Sequence, residues 1–233
     1  MMYRHWDHWV EEIPHSFVGT FDWDKGLGNF FDILGNEGAE NGGVSPYELP
    51  TEPFGGLEEL CWSPDGTRIA YSCRKKDGKD YAFSTDTEIY LYNIKDGECV
   101  RIPMGGGYDT TPVWSPDGRM ICWISMERNE YEADKQRLML ADVDGMKVGN
   151  IRELSAGFKY NVASPSWDED SRHIWLPRHC GEKYHLRLVR REFELTDACG
   201  YVADFFALSE RPVLSDLSNV NLPSHKVGDL LPI

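Results

Sequence analysis

Glu132 and Asp134 are carboxylates two positions apart, with Arg128 and Lys135 beside them, in a polar stretch from Glu127 to Gln136 between two apolar runs. A loop carboxylate of this kind can form a charge-assisted hydrogen bond to a cationic ligand such as an amino terminus. The plainer reading is a solvated loop, or a carboxylate tied to Arg128 or Arg137. Histidines gather as His5, His8 and His15, and again as His173, His179 and His185 with Cys180. Neither group has the i, i+4 spacing of a helical zinc site, and both lie in strand and loop context. No metal and no cofactor is expected. The remaining cysteines, Cys61, Cys73, Cys99, Cys122 and Cys199, form no C-x-x-C pair with one another or with Cys180, which excludes a zinc ribbon or thioredoxin-type motif. Cys61, Cys73 and Cys122 sit in apolar runs, where a thiol behaves as a small hydrophobe.

The elements that must position these residues are read from the whole chain. Its 233 residues suffice for a sizeable core; 41% are hydrophobic, 27% charged and 12% aromatic, with 8 Trp and 11 Tyr. Bulky aromatics suit pleated, half-buried surfaces, so the composition leans towards β. A formal net charge of -15 argues against nucleic acid and anionic membranes as partners and is compatible with cationic ligands. No apolar run reaches the roughly 20 residues of a membrane span, and Met1 to Val10 is too polar to read as a signal peptide.

Internal repetition is the strongest feature. Trp62-Ser63-Pro64-Asp65-Gly66-Thr67-Arg68-Ile69 recurs as Trp114-Ser115-Pro116-Asp117-Gly118-Arg119-Met120-Ile121, and more loosely as Trp167-Asp168-Glu169-Asp170-Ser171-Arg172-His173-Ile174. The tryptophans stand 52 and 53 residues apart. Ser-Pro-Asp-Gly is a turn sequence, because Pro presets φ, Asp accepts nearby amides and Gly tolerates the exit geometry. Each turn joins a short apolar strand to an alternating one. A third strand follows at 88–94, 137–143 and 184–189, and a fourth at 100–102, 151–154 and 193–196. Four strands per unit at a period near 50 describe the blades of a β-propeller. A β-sandwich has no reason to repeat one turn at a fixed period.

The fold class expected is therefore all-β, a partial propeller of about three full blades plus two partial ones. Residues 1–18 read as the end of a preceding blade, with a strand at 15–18, and 19–56 as a long loop. Blades follow at 57–103, 104–154 and 155–196, then a partial blade and tail at 197–233, with a strand from Val202 to Ala207. Insertions run over 74–87 and 127–136. Asp109, just before the second repeat, is placed either at a central channel or, more simply, where adjacent blades join. So few blades do not close a ring, and open strand edges are an aggregation hazard, so the chain reads as part of something larger.

The Trp-Ser-Pro-Asp-Gly units resemble the TolB-like repeats of periplasmic propellers and of prolyl oligopeptidase-family serine peptidases. Arg4-His5-Trp6-Asp7-His8-Trp9, Pro53-Phe54-Gly55-Gly56-Leu57-Glu58, Ser84-Thr85-Asp86-Thr87-Glu88-Ile89-Tyr90 and above all Ser125-Met126-Glu127-Arg128 leading to Tyr131-Glu132-Ala133-Asp134-Lys135 are similar to the dipeptidyl-peptidase and acylaminoacyl-peptidase branch. The resemblance covers residues 3 to about 206. It implies an N-terminal propeller that caps a C-terminal α/β-hydrolase domain, acts on peptide substrates and gates their access, with Glu132 or Asp134 contacting the substrate's amino terminus. It also implies export to the periplasm, with the cytoplasm as the alternative. No G-x-S-x-G elbow occurs in the 233 residues: Gly43-Val44-Ser45-Pro46-Tyr47 has Tyr in place of the second Gly. Catalytic residues are accordingly not expected here. The other readings are a stand-alone TolB-like propeller that binds protein, and a truncated product without function.

Overall fold

The computed structural model describes residues 3–5, 8–10, 12–52, 55–76, 78–104, 106–158, 160–180, 183–190 and 195–198. Strands β1 (Tyr3–His5) and β2 (His8–Val10) pair as a hairpin, as do β3 (Phe17–Asp22) and β4 (Gly26–Asp32). Three four-stranded antiparallel sheets follow, each in simple up-and-down order. Sheet I holds β5 (Leu60–Trp62), β6 (Arg68–Cys73), β7 (Glu88–Asn93) and β8 (Cys99–Arg101). Sheet II holds β9 (Asp109–Trp114), β10 (Met120–Ser125), β11 (Arg137–Asp144) and β12 (Lys147–Glu153). Sheet III holds β13 (Ser166–Trp167), β14 (His173–Cys180), β15 (Lys183–Arg190) and β16 (Leu195–Ala198). One short helix, α1 (Gly78–Phe83), lies in the insertion between β6 and β7. The further strand expected from Val202 to Ala207, and the tail, lie outside the described residues.

Residue alternation decides the architecture. Successive side chains of a strand point to opposite faces, so a sheet with one buried face alternates apolar and polar. Strand β10 is instead buried at every position. Its odd residues Ile121 and Trp123 join Met139, Ala141 and Val143 of β11 in a core shared with Ala70, Ile89 and Leu91 of sheet I. Its even residues Met120 and Cys122 join Leu138 and Leu140 in a second core shared with Trp167, Ile174 and Leu176 of sheet III. Strand β6 divides in the same way: Ala70 faces sheet II, whereas Ile69, Tyr71 and Cys73 face a third core with Ile33, Leu34 and Leu49. A two-layer sandwich has one core; here sheets I and II each separate two, as in stacked propeller blades. The stack is a wedge. The first strand of sheet II, β9, contacts β5, β6 and β7 on one side and β13 on the other. At the outer strands the sheets part, leaving an open cleft of about 700 Å³ between Glu98, Val100 and Arg101 on one wall and Asp144, Met146 and Val148 on the other.

The repeated turns hold the wedge. The Ser63 N–H donates to the Arg68 carbonyl at 2.9 Å and its hydroxyl to Asp65 Oδ1 at 2.6 Å, while Gly66 takes φ +67°. Ser115, Asp117 and Gly118 repeat the arrangement at 2.9 Å, 2.6 Å and +67°. Pro64 and Pro116 occupy the second position of each turn. Hydrogen bonding by Ser63 and the Thr67 amide holds the Asp65 carboxyl down at about 2. The second and third repeat tryptophans pack against the preceding sheet. Trp114 is 4% exposed, with the Arg68 guanidinium 4.5 Å over its ring. Trp167 is 6% exposed and donates through Nε1 to the Val113 carbonyl at 3.1 Å. Trp62 is 51% exposed, because the element before sheet I is a two-stranded hairpin rather than a full sheet.

The stretch 19–56, expected as loop throughout, begins with most of the β3–β4 hairpin. Gly26-Leu27-Gly28-Asn29 hides the strand, since two glycines lower β propensity and the run has no clean alternation. Phe31 packs beside Tyr92 with ring centroids 6.2 Å apart, and Ile33, Leu34 and Leu49 enter the third core. Phe17, Phe21, Trp23, Leu27 and Phe30 remain exposed. His15 is a polar staple of this region, with Nδ1 2.5 Å from Asp32 Oδ2 and Nε2 3.1 Å from the Ser45 carbonyl.

Truncating a buried tryptophan removes its transfer energy and leaves a cavity. Trp114→Ala and Trp167→Ala are expected to destabilise the chain by about 3–5 kcal/mol each, and Trp62→Ala by less than about 1 kcal/mol, in urea titrations monitored by circular dichroism.

Candidate functional site

Register brings two insertions to one end of the stack. Cys73 pairs with Glu88 across β6 and β7, and Ser125 pairs with Arg137 across β10 and β11. The loops 74–87 and 126–136 therefore leave the same end of neighbouring sheets. The starts of β5 and β9 lie there too, since Leu60 pairs with Tyr71 and Asp109 with Ser125. Thr87 and Tyr108 form a bridge between sheets I and II, and the Asp109 carbonyl accepts the hydroxyls of Ser72 at 2.5 Å and Thr87 at 2.7 Å. Asp109 is 3% exposed, at the junction of adjacent sheets.

The two loops are bonded to each other. Asn129 Oδ1 accepts the Ser84 hydroxyl at 3.0 Å and the Thr85 N–H at 2.9 Å, and the Glu130 N–H donates to Thr85 Oγ1 at 2.8 Å. Beneath them Arg74, 5% exposed, donates to the Ser84 carbonyl at 2.6 Å, to Glu48 Oε1 at 3.1 Å and to the Glu52 carbonyl at 3.3 Å. Its guanidinium lies 4.0 Å over the Tyr81 ring. One cation thus joins the end of β6, helix α1 and the 48–52 segment. Lys76 adds an ion pair to Asp86 at 2.8 Å.

Three acids at this end are buried. Burial pushes the Glu48 carboxyl up to about 7 against the pull of Arg74. It pushes Glu59, which is 0% exposed, up to about 7 against the Thr51 N–H that donates to Oε2 at 2.6 Å. It pushes Asp109 up to about 7 against Ser125, Trp123 and Arg137. All three carry carboxyls poised between protonation states near neutrality.

The two carboxylates singled out from sequence separate in role. Asp134 is engaged by Arg128: Nε lies 3.0 Å from both carboxylate oxygens, Nη2 also bonds Oδ1, and the Arg128 N–H donates to Oδ2 at 2.9 Å. This pairing holds the Asp134 carboxyl below its usual range, while the Arg128 guanidinium covers the Tyr131 ring at 3.8 Å. Asp134 therefore staples the loop. Glu132, three residues from the Asn129 contact, is exposed and forms no ion pair or side-chain hydrogen bond with the described residues. Among the histidines grouped in the sequence, the side chains of His5, His8, His179 and His185, with Cys180, lie outside the described residues.

No family model matches the chain. A dipeptidyl-peptidase 5 of Porphyromonas gingivalis is 44% identical over 177 residues, 76% of this chain and 24% of that protein. Over three quarters of its length the chain is thus similar to part of a dipeptidyl-peptidase-type protein. A second dipeptidyl-peptidase 5, from Porphyromonas endodontalis, is 40% identical over 141 residues, 60% of this chain and 19% of that protein. The chain thus spans a quarter or less of the length of these two dipeptidyl peptidases. TolB from Acinetobacter baumannii superposes with a TM-score of 0.43 at 18% identity, over 60% of this chain and 32% of the TolB chain. That likeness is too weak to add to what the sheets themselves show. In this dipeptidyl-peptidase relative, the residues that tie the loop end together are Arg74, Glu48, Glu59 and Asn129, none of which stands out in the sequence. Apart from the Glu52 N–H on Glu48, their hydrogen-bond partners lie 8 to 45 positions away, and no local spacing announces them.

The buried acids dictate a pH dependence. A carboxyl with a folded pKa near 7 and an ordinary unfolded value binds more protons when folded. Its contribution is complete below about pH 4.5 and lost as pH rises through 7. The thermal midpoint should fall from pH 5 to pH 8. Glu59→Gln should flatten that fall and raise stability at pH 8 by about 2–3 kcal/mol. A pH profile of unchanged slope in the variant contradicts the assignment.

Proposed function

We propose that this chain is the propeller portion of a dipeptidyl-peptidase-type serine peptidase, that it holds no catalytic centre of its own, and that its loop end gates the access of peptides to an α/β-hydrolase domain. The observation that carries the reading is the 44% identity to a dipeptidyl-peptidase 5 over three quarters of the chain, combined with two cross-bonded loops at one end of the stack. A gate needs a surface that keeps its shape while substrates pass. The Asn129, Arg74 and Arg128–Asp134 contacts supply that rigidity. Selection needs a group free to bind, and Glu132 is one of three exposed carboxylates on the same loop, with Glu127 and Glu130, whose side chains bond no described residue. A dipeptidyl peptidase acts beside a free amino terminus, whose α-ammonium makes a charge-assisted hydrogen bond to a carboxylate. A net charge of -15 draws such cations towards the surface.

Glu132 is the amino-terminus contact in this reading, and Asp134 holds the loop that presents it. In a complete peptidase carrying this propeller, Glu132→Gln should lower kcat/KM for substrates with a free amino terminus by about tenfold or more, mainly through KM, and leave acetylated substrates unaffected. Asp134→Asn should lower both classes together by loosening the loop. Equal kinetics of the Glu132→Gln variant and the parent on free-amino-terminus peptides would overturn the role of Glu132.

A further inference from the structure

The turn that opens sheet III departs from its two sisters at the positions that matter for metal chemistry. In sheets I and II a serine hydroxyl donates to the turn aspartate at 2.6 Å, Ser63 to Asp65 and Ser115 to Asp117. Each hydroxyl also accepts the N–H five residues on, from Arg68 and from Met120, at 2.9 Å. The third turn keeps the backbone: the Asp168 N–H donates to the His173 carbonyl at 2.9 Å, and the Ser171 N–H to the Asp168 carbonyl at 3.1 Å. Its chemistry differs. Asp168 replaces the serine, and His173 stands where Arg68 and Met120 stand. A hydroxyl that donated to the turn aspartate has become a second carboxylate, with an imidazole beside it. One ligand atom from each of Asp168, Asp170 and His173 lies within 4.8 Å of the other two, and all three side chains are partly buried.

We propose that Asp168, Asp170 and His173 bind a divalent transition-metal ion of the Zn²⁺, Co²⁺ or Mn²⁺ class. Two carboxylates and an imidazole, without thiolate, suit these ions, whereas Ca²⁺ and Mg²⁺ favour all-oxygen sets. The His173 Nδ1 faces Asp170 Oδ2 at 2.6 Å, and the ion takes the place of the proton in that bond. The site is preorganised from three sides. Trp167, the preceding residue, is buried and bonded to Val113. Ser171 Oγ accepts the Asp117 N–H at 2.9 Å, which ties this turn to its sister in sheet II. Asp170 Oδ1 accepts the N–H groups of Arg172 at 2.8 Å and His173 at 3.1 Å, which fixes the carboxylate plane. Three protein ligands leave the remaining coordination positions to water, so the ion's role is to pin the turn that opens sheet III.

The test is titration of the whole chain with Mn²⁺, read by the paramagnetic broadening of backbone amide resonances, and with Co²⁺, read by its visible absorption. Broadening should centre on residues 168–173, with a dissociation constant on the order of 10 μM. Asp168→Asn and His173→Gln should each weaken binding at least tenfold with unchanged far-ultraviolet circular dichroism. Asp168 is preferred for substitution because its carboxylate accepts only the adjacent Glu169 N–H, at 2.8 Å. Broadening centred elsewhere, such as on the His5–His15 group, or equal affinity of the variants and the parent, overturns the proposal.

Discussion

The fold depends on the second strands of sheets I and II, β6 and β10, having two hidden faces. Alternate residues of β6 and β10 enter different cores, so no sheet can be removed without stripping one face of its neighbour. A fully buried Leu, Ile or Met side chain contributes about 1.5–3 kcal/mol, and β10 places such residues on both sides, Met120 on one and Ile121 on the other. Strand β10 consequently reads as a continuous apolar run from Met120 to Ile124, although every pairing in the sheets is antiparallel. Directionality comes from the second and third repeat tryptophans, each of which packs backward onto the sheet before it. Where no full sheet precedes, at Trp62, the indole stays half exposed.

The loop end is held by a different kind of interaction. Arg74 and Asn129 each satisfy several partners drawn from separate segments, and such multiply bonded polar groups rigidify a surface that apolar packing does not reach. The cost is carried by Glu48, Glu59 and Asp109, whose burial disfavours their charged forms. Rigid loops at one end of a stack are what the proposed gate requires, and Asp134, the more tightly held of the two sequence candidates, staples one of them.

Much of the architecture was legible in the amino-acid sequence. Trp62, Trp114 and Trp167 at spacings of 52 and 53 residues, the Ser-Pro-Asp-Gly turns, and the alternating third strands foretold three four-stranded units, because turn chemistry and period-two alternation are local properties. The β3–β4 hairpin was not legible: its glycines and its half-exposed faces erase the pattern, and only its packing on Tyr92 and the third core selects the strand.

The functional residues divide along the same line. Sequence alone determined the family resemblance and the Glu132–Asp134 pair, since both rest on residues close together in the chain. It did not determine which of the two is free, because that depends on where Arg128 folds back. Nor did it determine the Asp168–Asp170–His173 cluster, whose ligands meet across a turn rather than on one helix face. Tertiary structure decided the Arg74 network and the neutral-range acids, for hydrogen-bond partners and desolvation are set by what packs against a side chain, not by its neighbours in sequence.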